Sequence, residues 1–175
     1  LIQYLRDKGV KFVTHEMVTG FEKQNSHIKT VITNKGRHDA DTVVLATGSW
    51  SRELAATAGL RIPIVAGRGY SITMENSSNL LNHPAVLMEG RVAITPMDGN
   101  KIRFGGTMEI TDTNRPPRMS RVQGIIDAVK RYLPEFEIPM PVEKDVWYGF
   151  RPCSADGMPY IGRCRNVPNL VVVSG

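Results

Sequence analysis

Apolar residues change their spacing several times along the chain, and each change predicts an element. Leu1, Ile2 and Leu5 share one helical face, Arg6, Asp7 and Lys8 form the polar end, and Gly9 is placed as a C-terminal stop, so the chain opens on the tail of a helix. Lys11 to Glu22 alternates with strand periodicity. Asn25-Ser26 supplies a turn, and Ile28 to Thr33 predicts a second strand closing on Asn34-Lys35-Gly36. From Asp41 to Ala46 the run Val43-Val44-Leu45 has the continuous apolar character of a strand buried on both faces, and it breaks into Thr47-Gly48-Ser49-Trp50. Ser51 reads as a helix N-cap with Glu53 in the first turn, for a helix reaching about Ala58 before Gly59.

From Pro63 the pattern becomes a β meander. Tyr70 to Met74, Ala85 to Met88, Val92 to Thr95 and Ile102 to Met108 are short strands separated by Asn/Ser, Glu-Gly and Asp-Gly turns, predicting one antiparallel sheet. The stretch Thr113 to Met119, with Asn114-Arg115-Pro116-Pro117, is a loop that no helix could cross. Ser120 then caps a helix carrying Val122, Ile125, Ile126, Val129 and Leu133 at helical spacing, ended by Pro134. Val142 to Phe150, Pro159 to Ile161 and Leu170 to Val173 complete the strands. This order predicts an α+β (α/β) chain of two interleaved lobes: residues 1–62 as part of a nucleotide-binding fold, 63–150 as an antiparallel sheet with one helix, and 151–175 as a return to the first lobe.

Composition narrows the function classes. The 175 residues are 41% hydrophobic, with mean hydropathy -0.21, enough for a core and with no apolar run long enough to span a bilayer. No secretory signal is legible at the N-terminus. The start at Leu1 inside an amphipathic stretch, and the stop at Ser174-Gly175 after a strand-like run, read as cuts through a larger fold. Cys153 and Cys164 give no disulfide framework or metal-ligand spacing, which favours a reducing, cytoplasmic-type compartment. The net charge of +5 comes from Lys and Arg scattered along the chain, without a stripe interleaved with aromatics, so nucleic-acid binding is not expected. His15, His27, His38 and His83 share no spacing and read as surface or hydrogen-bonded residues.

Two segments carry candidate chemistry. Thr42 to Trp50 delivers the small residues Ala46 and Gly48 to the carboxyl end of a buried strand, where open α/β sheets bind ligands and a cofactor could approach the backbone; a strand ending in a glycine turn has the same pattern. Gly149-Phe150-Arg151-Pro152, followed by Ser154-Ala155-Asp156-Gly157-Met158-Pro159-Tyr160-Ile161-Gly162, places Arg151 in an apolar context where an unpaired guanidinium would be expensive. It calls for an anionic partner: the carboxylate of a bound amino acid, or an internal Asp or Glu.

Taken together with Arg68-Gly69-Tyr70-Ser71-Ile72-Thr73, Ile94-Thr95-Pro96 and Arg103-Phe104-Gly105-Gly106-Thr107-Met108-Glu109, these segments resemble the D-amino acid oxidase-type FAD-dependent oxidoreductases over essentially the whole chain. The resemblance is greatest to the small subunit of bacterial D-amino acid dehydrogenase, with glycine oxidase and sarcosine oxidase as relatives. It implies FAD along the first lobe, near Val18, Ala46, Thr47, Gly48 and Trp50. It also implies a substrate site in which Arg151 holds the carboxylate, Met108 lines the pocket and Tyr70 stands in for a tyrosine contact, because Ala93 occupies the aromatic position of glycine-oxidase-like relatives. The implied reaction is hydride transfer from a D-amino acid or related amine to FAD. The electron acceptor is unspecified, and the parent protein's place is the cytoplasm or the periphery of the inner membrane. Glycine, sarcosine or a hydroxy acid are the alternative substrates. The family's Gly-x-Gly-x-x-Gly loop is absent from this chain, so the piece by itself is expected to retain no FAD and no turnover.

Overall fold

The computed structural model describes residues 1–75 and 81–175. In chain order stand α1 (Ile2–Asp7), β1 (Val18–Gln24), β2 (His27–Thr33), β3 (Arg37–Asp39), β4 (Val43–Leu45), a 3-10 turn (Gly48–Trp50), α2 (Ser51–Thr57), β5 (Val65–Met74), β6 (Ala85–Leu87) and β7 (Val92–Met97). They are followed by β8 (Lys101–Ile110), α3 (Met119–Tyr132), a second 3-10 turn (Glu143–Asp145), β9 (Trp147–Cys153), β10 (Tyr160–Cys164) and β11 (Val167–Ser174). The chain divides into two compact units, residues 1–63 with 159–174, and residues 64–158.

The first unit holds two three-stranded sheets, ordered β1-β2-β3 and β10-β11-β4. In the second of these, β11 runs parallel to β4, Leu170 opposite Val43 and Val172 opposite Leu45, while β10 is antiparallel to β11. Ile28, Val43, Leu45, Ala55, Leu170 and Val172 bury their side chains in this unit. Asn169 ties its sheets together: its Oδ1 accepts from the Ile28 N–H at 2.9 Å, and its Nδ2 donates to Ile28 O at 2.7 Å and Asp41 O at 3.1 Å. The buried amide thereby satisfies backbone groups that neither ladder reaches.

In the second unit a five-stranded antiparallel sheet has the order β6-β7-β8-β5-β9. Successive side chains of a strand point to opposite faces. One face carries Tyr70, Ile72, Ile94, Ile102 and Phe104, which pack against Val122, Ile125, Ile126 and Val129 on the apolar stripe of α3. The 5.8 Å edge-on pair of Phe104 and Phe136 lies in this core. The other face carries Gly67, Gly69, Ser71, Gly105 and Gly149, small residues that leave it open.

Several expectations change. The strand expected from Lys11 begins only at Val18, because β2 offers ladder partners from the Val18–Thr33 pair onward; Val13 and Met17, ahead of it, have exposed side chains. Val44 is 58% exposed, so β4 is buried on one face rather than both. The polar triplet Arg37–Asp39 forms a strand through its pairing with β2, which no hydrophobic pattern signals. Neither Ser51 nor Ser120 caps: both lie inside their helices, behind Trp50 and Arg118. The run from Val142 starts with a 3-10 turn, and its strand begins at Trp147. That strand stays paired with β5 through Cys153, so Arg151–Cys153 stand in the antiparallel sheet and not with the returning segment expected from residue 151. The expected Asn/Ser turn of the meander lies outside the described residues.

Candidate functional site

The open face of the second unit forms a hollow of about 650 Å³. Strand register determines what lines it: Arg151 stands opposite Gly67, Gly149 opposite Gly69 and Trp147 opposite Ser71 on the β9 side, with Met108 opposite Gly69, Gly105 opposite Ser71 and Arg103 opposite Thr73 on the β8 side. At two of these positions neighbouring side chains lie where a Cβ would stand, so a larger residue would have to displace them. A Cβ at Gly149 would lie 2.8 Å from the Trp147 ring, and one at Gly67 would lie 2.7 Å from Cys153 Sγ and 2.8 Å from Met108 Sδ. A bulge in β8 sets the phase of this wall. Gly69 pairs with Met108 and Tyr70 with Gly106, leaving Thr107 as the extra residue at φ 53°. Without that insertion the alternation 103, 105, 107 would continue and Met108 would point into the core; with it, Met108 faces the hollow and Glu109 turns inward.

Arg151 is exposed at one end of this hollow. Among the described residues no Asp or Glu lines the hollow, and no carboxylate stands within ion-pair distance of the Arg151 guanidinium. The apolar context of Arg151 in sequence therefore does not enclose it, and of the two anionic partners weighed for it the internal acid is set aside. Met108, 51% exposed, reaches the same hollow. Tyr70 borders it but is only 2% exposed, and its hydroxyl is committed elsewhere: it donates to Glu109 Oε1 at 2.5 Å and accepts from the Arg118 N–H at 2.9 Å. With its single proton already donated, it has none for a ligand, which corrects the expectation of a tyrosine contact.

The buried guanidinium of this unit is Arg68, fully enclosed. Its Nε and Nη2 donate to Glu109 Oε1 at 3.0 and 2.6 Å, Nη1 donates to Arg115 O at 2.7 Å, and Nη2 also donates to Pro116 O at 2.8 Å. The rings of Tyr70, Tyr148 and Phe150 surround it at 5.4 to 5.9 Å. Burial disfavours ionisation of Glu109, yet the hydrogen bonds from Tyr70 and Arg68 and the charges of Arg68 and Arg118 outweigh it, holding the carboxyl below its ordinary value. Burial also pushes the Tyr70 phenol up, and donation to Glu109 adds to the effect. Sequence reading assigned no role to this pair. The available signal was two charges inside strands whose neighbours are glycine or apolar, at Gly67-Arg68-Gly69 and Met108-Glu109-Ile110.

The first unit places Ala46, Thr47, Gly48 and Trp50 on one turn at the carboxyl end of β4, beside the carboxyl end of the parallel strand β11. Gly48 has φ 54°, a conformation that favours glycine. Hydroxyls run in one direction through the turn: Thr47 to Ser51 at 3.0 Å, Ser51 to Ser174 at 3.0 Å, and Ser174 to Gly48 O at 3.1 Å. Ser49 Oγ is buried and has no hydrogen-bond partner among the described residues. Small residues at the ends of a parallel pair, with an unsatisfied buried hydroxyl among them, suit the backbone approach of a nucleotide cofactor. Val18 stands apart from this turn, opposite Thr33 in the β1-β2-β3 sheet. Among the described residues no cluster of His, Cys, Asp or Glu could hold a metal ion, and no helix is long and apolar enough to cross a membrane.

The family described as FAD dependent oxidoreductase (DAO) matches residues 1–175. The chain belongs to this family. This DAO-family chain is 34% identical to a D-amino acid dehydrogenase of Neisseria meningitidis over all of its own length and 41% of that protein's. It is equally 34% identical to a glycine oxidase of Pseudomonas putida, over 88% of the chain and 41% of the relative. The DAO-family chain thus spans about two fifths of the length of the curated relatives it matches. Among solved structures, L-proline dehydrogenase from P. horikoshii superposes with a TM-score of 0.77 at 24% identity, over 97% of the chain and 46% of that protein. Glycine oxidase from Geobacillus kaustophilus superposes with a TM-score of 0.72, also at 24% identity, over 91% of the chain and 42% of that protein. These two establish the fold.

Proposed function

We propose that the protein containing this chain oxidises a D-amino acid or a related amine, with Arg151 anchoring the substrate carboxylate. FAD, when bound, accepts the hydride that leaves the substrate α-carbon. The observation that carries the reading is the Arg151 guanidinium at the end of an acid-free hollow, free to take a carboxylate as a two-point fork. Met108 and the glycine floor bound the space for the rest of the substrate. Tyr70, Arg68 and Glu109 act from behind the sheet, holding the strands that display Arg151 and Met108 in register. In the other unit, Ala46 to Gly48 and Trp50 are the residues we assign to the cofactor, with Val18 a weaker candidate because it stands in the other sheet.

The D-amino acid dehydrogenases among the relatives support the D-amino acid reading, and the glycine oxidases make glycine the first comparison substrate. The proposed setting is amino-acid catabolism in the cytoplasm or at the periphery of the inner membrane, with the electron acceptor left unspecified. The test is the complete FAD-loaded protein assayed against D-amino acids, glycine and sarcosine, before and after Arg151→Ala. Loss of a charged anchor should lower kcat/KM by about 2 to 4 kcal/mol, that is about 30- to 1000-fold, mainly through KM. An unchanged kcat/KM refutes the anchor.

A further inference from the structure

The hollow is lined by a second arginine that the carboxylate anchor does not explain. Arg103 stands opposite Thr73, six residues along β5 from the Gly67 position that faces Arg151. At a strand rise of about 3.3 Å this separates the two positions by about 20 Å along the sheet. Both side chains nevertheless line the same hollow, Arg103 with its Nε directed across the sheet at Thr73. Among the described residues, the side-chain hydrogen bond of Arg103 is a 3.4 Å contact to Thr73 Oγ1, and no carboxylate lies within ion-pair distance of it. Between the two cations lie Gly69, Gly105 and Gly149, with the exposed Trp147 ring as a wall.

Two like charges facing one hollow are best satisfied by a ligand with an anion at each end and an apolar middle. Resting on the reading that Arg151 takes the α-carboxylate, we propose that Arg103 is a specificity-determining residue that binds a second anionic group. The substrate class is then amino acids whose side chain ends in a carboxylate. The methylene groups lie over the glycine floor, where a Cβ at Gly69 or Gly105 would have its nearest neighbour 3.8 Å away, leaving room above the strands.

The experiment compares kcat/KM of the complete FAD-loaded enzyme for D-glutamate, D-2-aminoadipate, D-aspartate and the neutral isostere D-glutamine, in the native protein and in Arg103→Gln. We expect D-glutamate or D-2-aminoadipate to exceed D-glutamine by on the order of tenfold. Arg103→Gln should collapse that ratio toward one, and glutarate should inhibit the native enzyme more strongly than butyrate by a similar factor. Faster turnover of D-glutamine than of both acidic substrates overturns the proposal while leaving the Arg151 reading intact, as does a ratio unmoved by Arg103→Gln. Turnover of none of the amino acids, glycine included, overturns both.

Discussion

Replacing Glu109 with Gln tests how the second unit is held together, because it changes one charge and almost no volume. In the native chain Glu109 is 5% exposed and its Oε1 accepts from Arg68 Nε, Arg68 Nη2 and the Tyr70 hydroxyl. A glutamine oxygen can accept the same three bonds. Its amide nitrogen, however, falls where Oε2 lies 3.4 Å from Arg118 Nε and 3.8 Å from Arg121 Nε, so a donor faces two cations. More important, the fully buried Arg68 loses its counter-charge. Breaking a buried ion pair on one side costs about 3 to 5 kcal/mol. The three rings around Arg68 and its bonds to Arg115 O and Pro116 O remain, and they offset on the order of 1 kcal/mol. The expected loss is therefore about 2 to 4 kcal/mol, which for a chain of this size lowers Tm by about 4 to 16 °C. Because the folded-state pKa of Glu109 is lowered, its contribution is present above the ordinary carboxylate pKa and is lost as pH falls through the folded value. Denaturant unfolding followed by circular dichroism, repeated across the acid range, should show the native protein losing stability on acidification more steeply than Glu109→Gln. A destabilisation below about 1 kcal/mol at neutral pH, or identical acid limbs, would refute the reasoning.

Two further predictions concern the first unit. Gly48→Ala forces a Cβ into a backbone at φ 54°, so it should cost about 1 kcal/mol in unfolding free energy, and in the complete protein it should reduce FAD retention on gel filtration if the Ala46–Trp50 turn holds the cofactor. Asn169→Ala leaves the Ile28 N–H, Ile28 O and Asp41 O without their side-chain partner in a buried place, with an expected loss of about 2 to 3 kcal/mol by urea titration; a loss under about 0.5 kcal/mol would show that the two sheets do not depend on this amide.

What the sequence determined by itself is the set of elements whose pattern is local. Val122, Ile125, Ile126 and Val129 define α3 because a helix repeats every 3.6 residues, and Pro134 ends it because proline lacks the donor a helix needs. Alternation and turn residues likewise marked β5, β7 and β8, and the ordered motifs around Ala46-Thr47-Gly48 and Gly149-Phe150-Arg151-Pro152 pointed to the family. The tertiary structure decided which arginine is enclosed and which is free. Both Arg68 and Arg151 sit among apolar or glycine neighbours in sequence, so composition cannot separate them. A strand has two faces, and on the sheet's packed face Arg68 meets Glu109 from forty-one residues away, while Arg151 in the next strand stands opposite Gly67 on the open one. The choice of face hinges on pairing and on the single inserted Thr107, which reverses the phase of β8 and exchanges the positions Met108 and Glu109 would otherwise hold. Register between strands distant in sequence is a property of the assembled sheet, and no local periodicity encodes it.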